Sequence, residues 1–463
     1  MESSPAVEAN AHRKGFDKLV EKVSPNAFYD SDNRPDPPKC HPNTRVAVIN
    51  KIIDWATGMI DTDAFMLWLY GPAGAGKTAI ARKVAELFAE HGLLLASFLF
   101  FRSDPKRNKM KPLVANIAYR ISCVIPATHN LINTAMEADP LLLSYSVEVQ
   151  FTKLVLEPLR LLAGQGYFIN RQSPLLVVID GLDECLDKGA QTDFIKFLSS
   201  SVAQYPLPLK FLIVSRPEAH IKSAVSLVSE RSTVSHLELN DDFLPDVDIR
   251  RFLTDKFRDI KKCHPFCSGI PPRWPSAQQI ATLIRKASGQ FIYASLAIRF
   301  INSTFESPMR QLDIALELRP PINHDLPFAE LDTLYTYILS CTKDSNLVSR
   351  ILGVCNVVDV EAFPYSAVTI VEFVLGLEDG DVSIYLGTLS SLLEVQKERI
   401  SFHHSSFMDF MSSPERSKSY YVNPGLISSL VAQRMLELFP SIGRFPRFSV
   451  NSVSLGQRLA RPF

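Results

Sequence analysis

The chain has no excess of either charge. Its 463 residues carry 49 Lys and Arg against 49 Asp and Glu, a formal net charge of zero. No global field steers it to nucleic acid or to a membrane surface, and neither partner is expected. It also lacks an apolar run of spanning length: the longest, Leu93 to Phe101 and broken only by Ser97, is about half of what a bilayer needs. Met1-Glu2-Ser3-Ser4-Pro5 does not have the basic-then-apolar layout of a signal peptide. Seven scattered cysteines, an odd number, make no disulfide framework and suit a reducing compartment, so a cytoplasmic protein is expected. Cys263-His264-x-x-Cys267 has no second ligand pair at matching spacing, and zinc is not expected there. No repeat with a period of roughly 20–50 residues is present, which excludes a solenoid or propeller.

What the chain does have is an ordinary globular composition, 46% hydrophobic and 21% charged. Its length suggests about two to four domains, each able to bury a core. Phe16, Leu19, Val20 and Val23 lie at helical spacing within residues 9–23. That amphipathic helix is expected to pack on the neighbouring domain, with docking to a partner or a membrane as the alternative. A proline-rich linker spans residues 30–42, and Asn43-Thr44 should cap a helix with Val46, Val48, Ile49, Ile52, Ile53 and Trp55 on its face.

The chemistry begins at Gly71-Pro72-Ala73-Gly74-Ala75-Gly76-Lys77-Thr78, which has the form G-x-x-x-x-G-K-[ST] of a phosphate-binding loop, the Walker A motif. Its three glycines let backbone N–H groups turn inward around a phosphate where a Cβ would obstruct. Lys77 would reach the β- and γ-phosphates, and the Thr78 hydroxyl would ligate Mg²⁺. The setting supports the motif. Ala64 to Tyr70 reads as a buried strand, and Ile80, Val84, Leu87 and Phe88 give the segment after the loop a helical face.

Leu175 to Ile179 is an aliphatic run that ends in Asp180-Gly181-Leu182-Asp183-Glu184, the Walker B pattern of a central parallel strand with carboxylates at its C-terminal end. Asp180 would hold Mg²⁺, directly or through water. Asp183 or Glu184 would orient and polarise an attacking water. A further strand, Lys210 to Val214, ends in Ser215-Arg216-Pro217, where Arg216 could touch a γ-phosphate and sense its loss, or form a surface ion pair. The run Leu93 to Phe101 and the segment His236 to Leu239 add two strands. Strands alternate with helices throughout residues 64–240, so a doubly wound parallel sheet is expected.

Other stretches are less specific. Lys106, Arg107, Lys109 and Lys111 cluster in one loop without an aromatic platform, which reads as a solvated loop. Residues 112–163 read as two or three helices, with Pro158 kinking or restarting the last. From residue 241 the pattern turns helical. Helices are expected near 330–341, 345–356, 366–376 and 382–394, followed by a hairpin, Leu392 to Val395 and Arg399 to Phe402. Helices then a hairpin suggest a winged helix, but its recognition segment, Val368 to Leu375, has no basic residue. Ser441 to Phe463 has four arginines, no acid and little periodicity, so no fixed fold is expected for it.

With these motifs in view, the chain resembles the NACHT family of signal-transduction P-loop NTPases, of the STAND class and the fungal NLR-like type. Further support comes from Cys40-His41-Pro42-Asn43-Thr44-Arg45, Phe100-Phe101-Arg102 with Arg107-Asn108, Gly289 to Ala294, and Phe402-His403-His404-Ser405-Ser406-Phe407-Met408-Asp409-Phe410. The resemblance spans roughly residues 14–440. It implies a P-loop NTPase domain at 44–240, preceded by the helix and linker at 1–43. A small helical domain at 241–325, a winged-helix-like domain at 326–422, and a short helix with its tail at 423–463 would follow. It implies a switch that binds ATP or GTP with Mg²⁺, hydrolyses it slowly, and changes its self-association or its pairing with other NLR-like proteins. His404 matches the position whose imidazole contacts the β-phosphate in the closed, ADP-bound form of such switches; the residue-level alternative is a polar side chain at a hairpin end. Many relatives have a Pro where Gly289-Gln290-Phe291 stands, which leaves ATP against GTP open. Relatives also carry a C-terminal repeat array and often an N-terminal effector domain, so either a separate sensor or a truncated form is expected. A non-catalytic, repeat-less scaffold or decoy that holds nucleotide structurally is the second reading.

Overall fold

A computed structural model describes residues 14–438, apart from 32–37, 103, 172, 205–206, 230–233, 305, 321–327, 359–365 and 397–398. The start of the expected N-terminal helix, residues 32–37 of the proline-rich linker and the arginine-bearing tail after Phe439 lie outside the described residues. The chain divides into two compact units, residues 1–334 and 335–463.

The first unit opens with helix α1 (Lys14–Val20) and helix α2 (Val46–Ala56). Strands and helices then alternate: β1 (Met66–Tyr70), α3 (Lys77–Glu90), β2 (Leu94–Leu99), α4 (Met110–Val124), α5 (Ala127–Ala138), α6 (Glu157–Gly164), β3 (Leu175–Asp180), α7 (Lys188–Gln204), β4 (Leu209–Ser215), α8 (Ala219–Ser229) and β5 (Val234–Glu238). All pairings are parallel and the strand order is β2-β3-β4-β1-β5. Successive side chains on a strand point to opposite faces. Met66, Trp68, Val177, Ile179, Phe211 and Ile213 therefore pack on one side, against α4 to α8. Leu67, Leu69, Leu176, Val178, Leu212 and Val214 pack on the other, against α2 and α3. A sheet buried on both faces explains why its strands read as unbroken apolar runs. This is the expected doubly wound α/β fold.

Some local expectations change. Asn43-Thr44 does not cap α2; the N-cap is Arg45, in the left-handed region at φ 58, and the Thr44 hydroxyl instead donates to the His41 carbonyl. Before Pro158, residues Thr152–Leu156 form a π turn, and the helix restarts at Glu157 with the proline in its first turn, where its missing N–H costs nothing. Helix α1 packs on the rest of the unit: Leu19 is buried, Phe16 lies 4.2 Å from the His129 ring, and the Phe16 N–H donates to Asn133.

Among the described residues, α9 (Pro245–Cys263), α10 (Ala277–Ala287), α11 (Phe291–Ile301) and α12 (Pro308–Glu317) follow the sheet in the same unit. Ser276 and Gln279 close a capping box on α10. The buried His264 ring is engaged at both nitrogens, by the Phe266 N–H and the Ser303 carbonyl.

The second unit takes in the later part of α13 (Ala329–Ser340), then α14 (Ser345–Val357), α15 (Ala367–Leu375) and α16 (Asp381–Leu386). The antiparallel hairpin β6 (Leu393–Gln396) and β7 (Arg399–Phe402) comes next, before α17 (Ser405–Met411) and α18 (Pro424–Leu438). The helix expected over 382–394 is shorter, because a 3-10 turn at Gly387–Leu389 follows α16 and Leu393 already pairs with Phe402. No described helix is long and apolar enough to cross a membrane.

Candidate functional site

In a parallel sheet the loops after the strands meet at one edge, and the register here aligns three of them. Tyr70, the last residue before the phosphate loop, pairs with Ser215, the residue before Arg216. Asp180 pairs with Val214 on one side and Leu99 on the other. Strand β4 thus lies between the strand that carries the loop and the strand that carries the acids, and places Arg216 between them.

The loop has the shape its glycines predict. Gly74 and Gly76 adopt φ of +78° and +90°, the left-handed region that glycine enters without steric cost. At Gly76 an added Cβ would meet open space; at Gly74 it would collide with Ile292 Cγ2. The tightness at Gly74 comes from α11, whose Ile292 N–H donates to the Gly74 carbonyl at 3.3 Å. Lys77 begins α3, and its ammonium donates to the loop's own carbonyls at Gly71 (2.8 Å) and Pro72 (2.9 Å). Burial pushes its pKa down to about 8, against the pull of Asp183, Asp180 and Glu184. Thr78 follows it, half-buried, in the first turn of α3.

The acids gather opposite. Asp180 is buried at the end of β3. Gly181, at φ +72°, turns the chain so that Asp183 and Glu184 fall in one turn of 3-10 helix. Buried Asp183 accepts from the Arg216 N–H at 2.9 Å and faces the Arg216 Nε at 3.3 Å. Glu184 Oε2 accepts from the Arg102 N–H at 3.1 Å. Burial and the neighbouring Asp183 carboxylate raise the Glu184 pKa to about 7, so close to neutrality it can hold or release a proton. Lys77, Asp180, Asp183, Glu184 and Arg216 therefore share one electrostatic neighbourhood. A glycine-lined loop with positive φ, a half-buried lysine and facing carboxylates fits a Mg²⁺-bound polyphosphate in shape and charge.

Two participants were given no role by the sequence. The Arg102 guanidinium donates to the Asp183 carbonyl at 3.0 Å; its stretch, Phe100-Phe101-Arg102, supports the family resemblance but assigns it no contact. The Trp68 indole donates to the Ser215 hydroxyl at 2.9 Å, which in turn donates to the Arg216 carbonyl at 3.0 Å, so a core side chain orients the arginine. His404 lies in the second unit as the N-cap of α17. Its Nδ1 accepts from the Ser406 N–H at 3.0 Å and meets the Ser406 hydroxyl at 2.8 Å, which assigns the proton of a neutral ring to Nε2.

Residues 49–216, a little over a third of the chain, match the family model described as Nephrocystin 3, N-terminal. The five-stranded parallel sheet, with the phosphate loop and the acids at one edge, has the P-loop NTPase fold. The solved structures similar to this chain include Cdc6p from Pyrobaculum aerophilum, with 14% identity, a TM-score of 0.35, and coverage of 89% of this chain and 99% of that one. The Drosophila ORC bound to DNA is similar at 11% identity and a TM-score of 0.28, over 96% of this chain and 70% of that one. No curated protein sequence matches this chain.

Proposed function

We propose that the chain is a nucleotide-operated switch, which binds ATP or GTP with Mg²⁺ at residues 71–78 and hydrolyses it slowly to alter self-association or pairing with NLR-like partners. The observation that carries this reading is the alignment of Lys77, Asp180, Asp183, Glu184 and Arg216 at one edge of the sheet. Backbone N–H groups of the loop after Pro72 would cradle the phosphates, and Lys77 would exchange its two carbonyl partners for phosphate oxygens. Thr78 and Asp180 would hold Mg²⁺, whose charge offsets that of the phosphate oxygens. Asp183 or Glu184 would orient the attacking water, with Glu184 able to take its proton at a carboxylate oxygen. Arg216, between loop and acids, would respond to the terminal phosphate.

The role implied for His404, a donor to a β-phosphate, belongs to the same proposal and is tested on its own by the ADP affinity of His404→Ala. The modular reading of residues 44–240, 241–325 and 326–422, the last winged-helix-like, also stands as a proposal. So does a cytoplasmic setting without a nucleic-acid partner: on α15 the exposed residues include Thr369 and Phe373 and no base-reading cation. The test is to identify the nucleotide that co-purifies with the protein and to titrate Lys77→Ala. Stoichiometric ADP in the wild type, lost in the variant, supports the switch; an empty site that takes up neither adenine nor guanine nucleotide overturns it. Turnover abolished by Asp183→Asn or Glu184→Gln would rule out the scaffold reading.

A further inference from the structure

The segment just before α2 is tied along α9 by a row of contacts. The His41 ring bonds Asp255 at 2.9 Å and packs edge-on against Phe252 at 5.5 Å. The Asn43 carbonyl accepts from Arg251 at 2.7 Å, and the Arg45 N–H donates to Asp248 at 2.8 Å. Positions 248, 251, 252 and 255 recur at helical spacing, so one face of α9 holds the whole segment. At its end stands Arg45, only 5% exposed. Its Nη2 donates to the Ala75 carbonyl in the phosphate loop at 2.9 Å, and its guanidinium lies 4.8 Å from the centroid of the Phe291 ring, at the start of α11. Its Nε is buried and, among the described residues, has no hydrogen-bond partner. A buried guanidinium with a spare donor, held between two elements, has an incomplete set of bonds in this arrangement.

We propose that Arg45 is a positioning residue that couples the phosphate loop to the helical region: it fixes the Ala75 peptide on one side and Phe291 on the other, so that filling the loop is felt at α11. This rests on the nucleotide reading above. The Gly76 N–H shares a peptide plane with the Ala75 carbonyl and can point into a phosphate only while that carbonyl points out, and Arg45 is the side chain that holds that carbonyl. The direct contact of Ile292 with Gly74 gives the same two elements a second joint, one that carries no charge.

The test uses the full chain, a fluorescent ADP analogue with Mg²⁺, and hydrogen exchange with and without ADP. In the wild type, ADP should slow exchange both in residues 71–78 and in residues 289–296. Arg45→Met, which keeps length and apolar volume, should weaken ADP binding about tenfold, the loss of one charge-assisted hydrogen bond. At saturating ADP it should keep the protection of 71–78 and lose that of 289–296. Phe291→Leu leaves the Ala75 bond in place and should lose the distal protection with near wild-type affinity, which keeps the test open if Arg45→Met fails to fold. Arg45→Lys, able to donate but not to stack, should recover affinity more than coupling. A purely structural role would lower stability in both nucleotide states and leave the distal protection intact. Distal protection retained in Phe291→Leu, or in a folded Arg45→Met, would overturn the coupling. A wild type that binds no nucleotide would overturn the functional reading and, with it, this one.

Discussion

Asp183 holds Arg216 at two points, accepting from its backbone N–H at 2.9 Å and facing its Nε at 3.3 Å. The arginine is thus oriented by a carboxylate that the proposed chemistry also needs, and a terminal phosphate would compete with Asp183 for the same guanidinium. Arg216→Ala should weaken binding of a non-hydrolysable triphosphate about tenfold, on the scale of one charged hydrogen bond, and leave diphosphate binding nearly unchanged. Titrating both ligands checks this. Equal losses for the two would mean that Arg216 does not read the terminal phosphate.

Glu184, with its pKa raised to about 7 by burial and by Asp183, is protonated below that pH and a carboxylate above it. As proton acceptor it should make the hydrolysis rate rise between about pH 6 and pH 8 and then level off. Glu184→Gln should remove both the activity and the inflection. The linkage has the opposite sign for stability: a carboxyl raised in the folded state favours folding below its unfolded pKa, and that contribution is lost as pH rises through about 7. Glu184→Gln should therefore be more stable than wild type above pH 7, by roughly 1–2 kcal/mol after allowance for a half-exposed side chain, in denaturant titrations.

Lys77, lowered to about 8 by burial, is only partly charged at slightly alkaline pH. A bound phosphate favours the ammonium, so binding near pH 8 should draw a proton from the buffer. Calorimetry in buffers of differing ionisation enthalpy measures that uptake. Affinity should fall as pH rises beyond 8, and proton-neutral binding at pH 8 would argue against Lys77 meeting the phosphate.

The two left-handed glycines of the loop separate strain from space. Gly76→Ala meets no neighbour and should cost about 1–2 kcal/mol for the positive φ alone. Gly74→Ala adds a collision with Ile292 and should cost about 3–5 kcal/mol. Pairing it with Ile292→Ala should return part of that loss, and thermal unfolding of the three variants decides it.

In the second unit, Glu372 is buried on α15 with Oε1 accepting from the Gly380 N–H at 2.9 Å and the Val382 N–H at 3.4 Å, at the start of α16. Glu372→Ala orphans both donors and should destabilise the protein by about 1–3 kcal/mol in chemical denaturation, with nucleotide binding by the first unit unchanged.

The sheet was legible because a strand buried on both faces leaves little but apolar residues, and because Asp180 and Arg216 each end such a run. The phosphate loop was legible because Gly74 and Gly76 do a backbone task that other residues perform poorly. Arg45 was not. Its partners are Ala75, Asp248 and Phe291, distant in sequence, and no local period records them. The cap expected at Asn43-Thr44 failed for a related reason: the demand for Arg45 in a left-handed turn, with its N–H committed to Asp248, outweighs the usual preference for a polar cap. The helix expected to run to residue 394 stopped early because Leu393 and Val395 serve a hairpin, and a short apolar run fits either period. Trp68 read as core, which it is, and its indole bond to Ser215 leaves no trace in the pattern.

Where Ile292 meets Gly74 there is no slack: the backbone of the loop and a methyl of α11 already touch. That contact is a hard stop. A closer approach of α11 to the cradle would have to displace that methyl first.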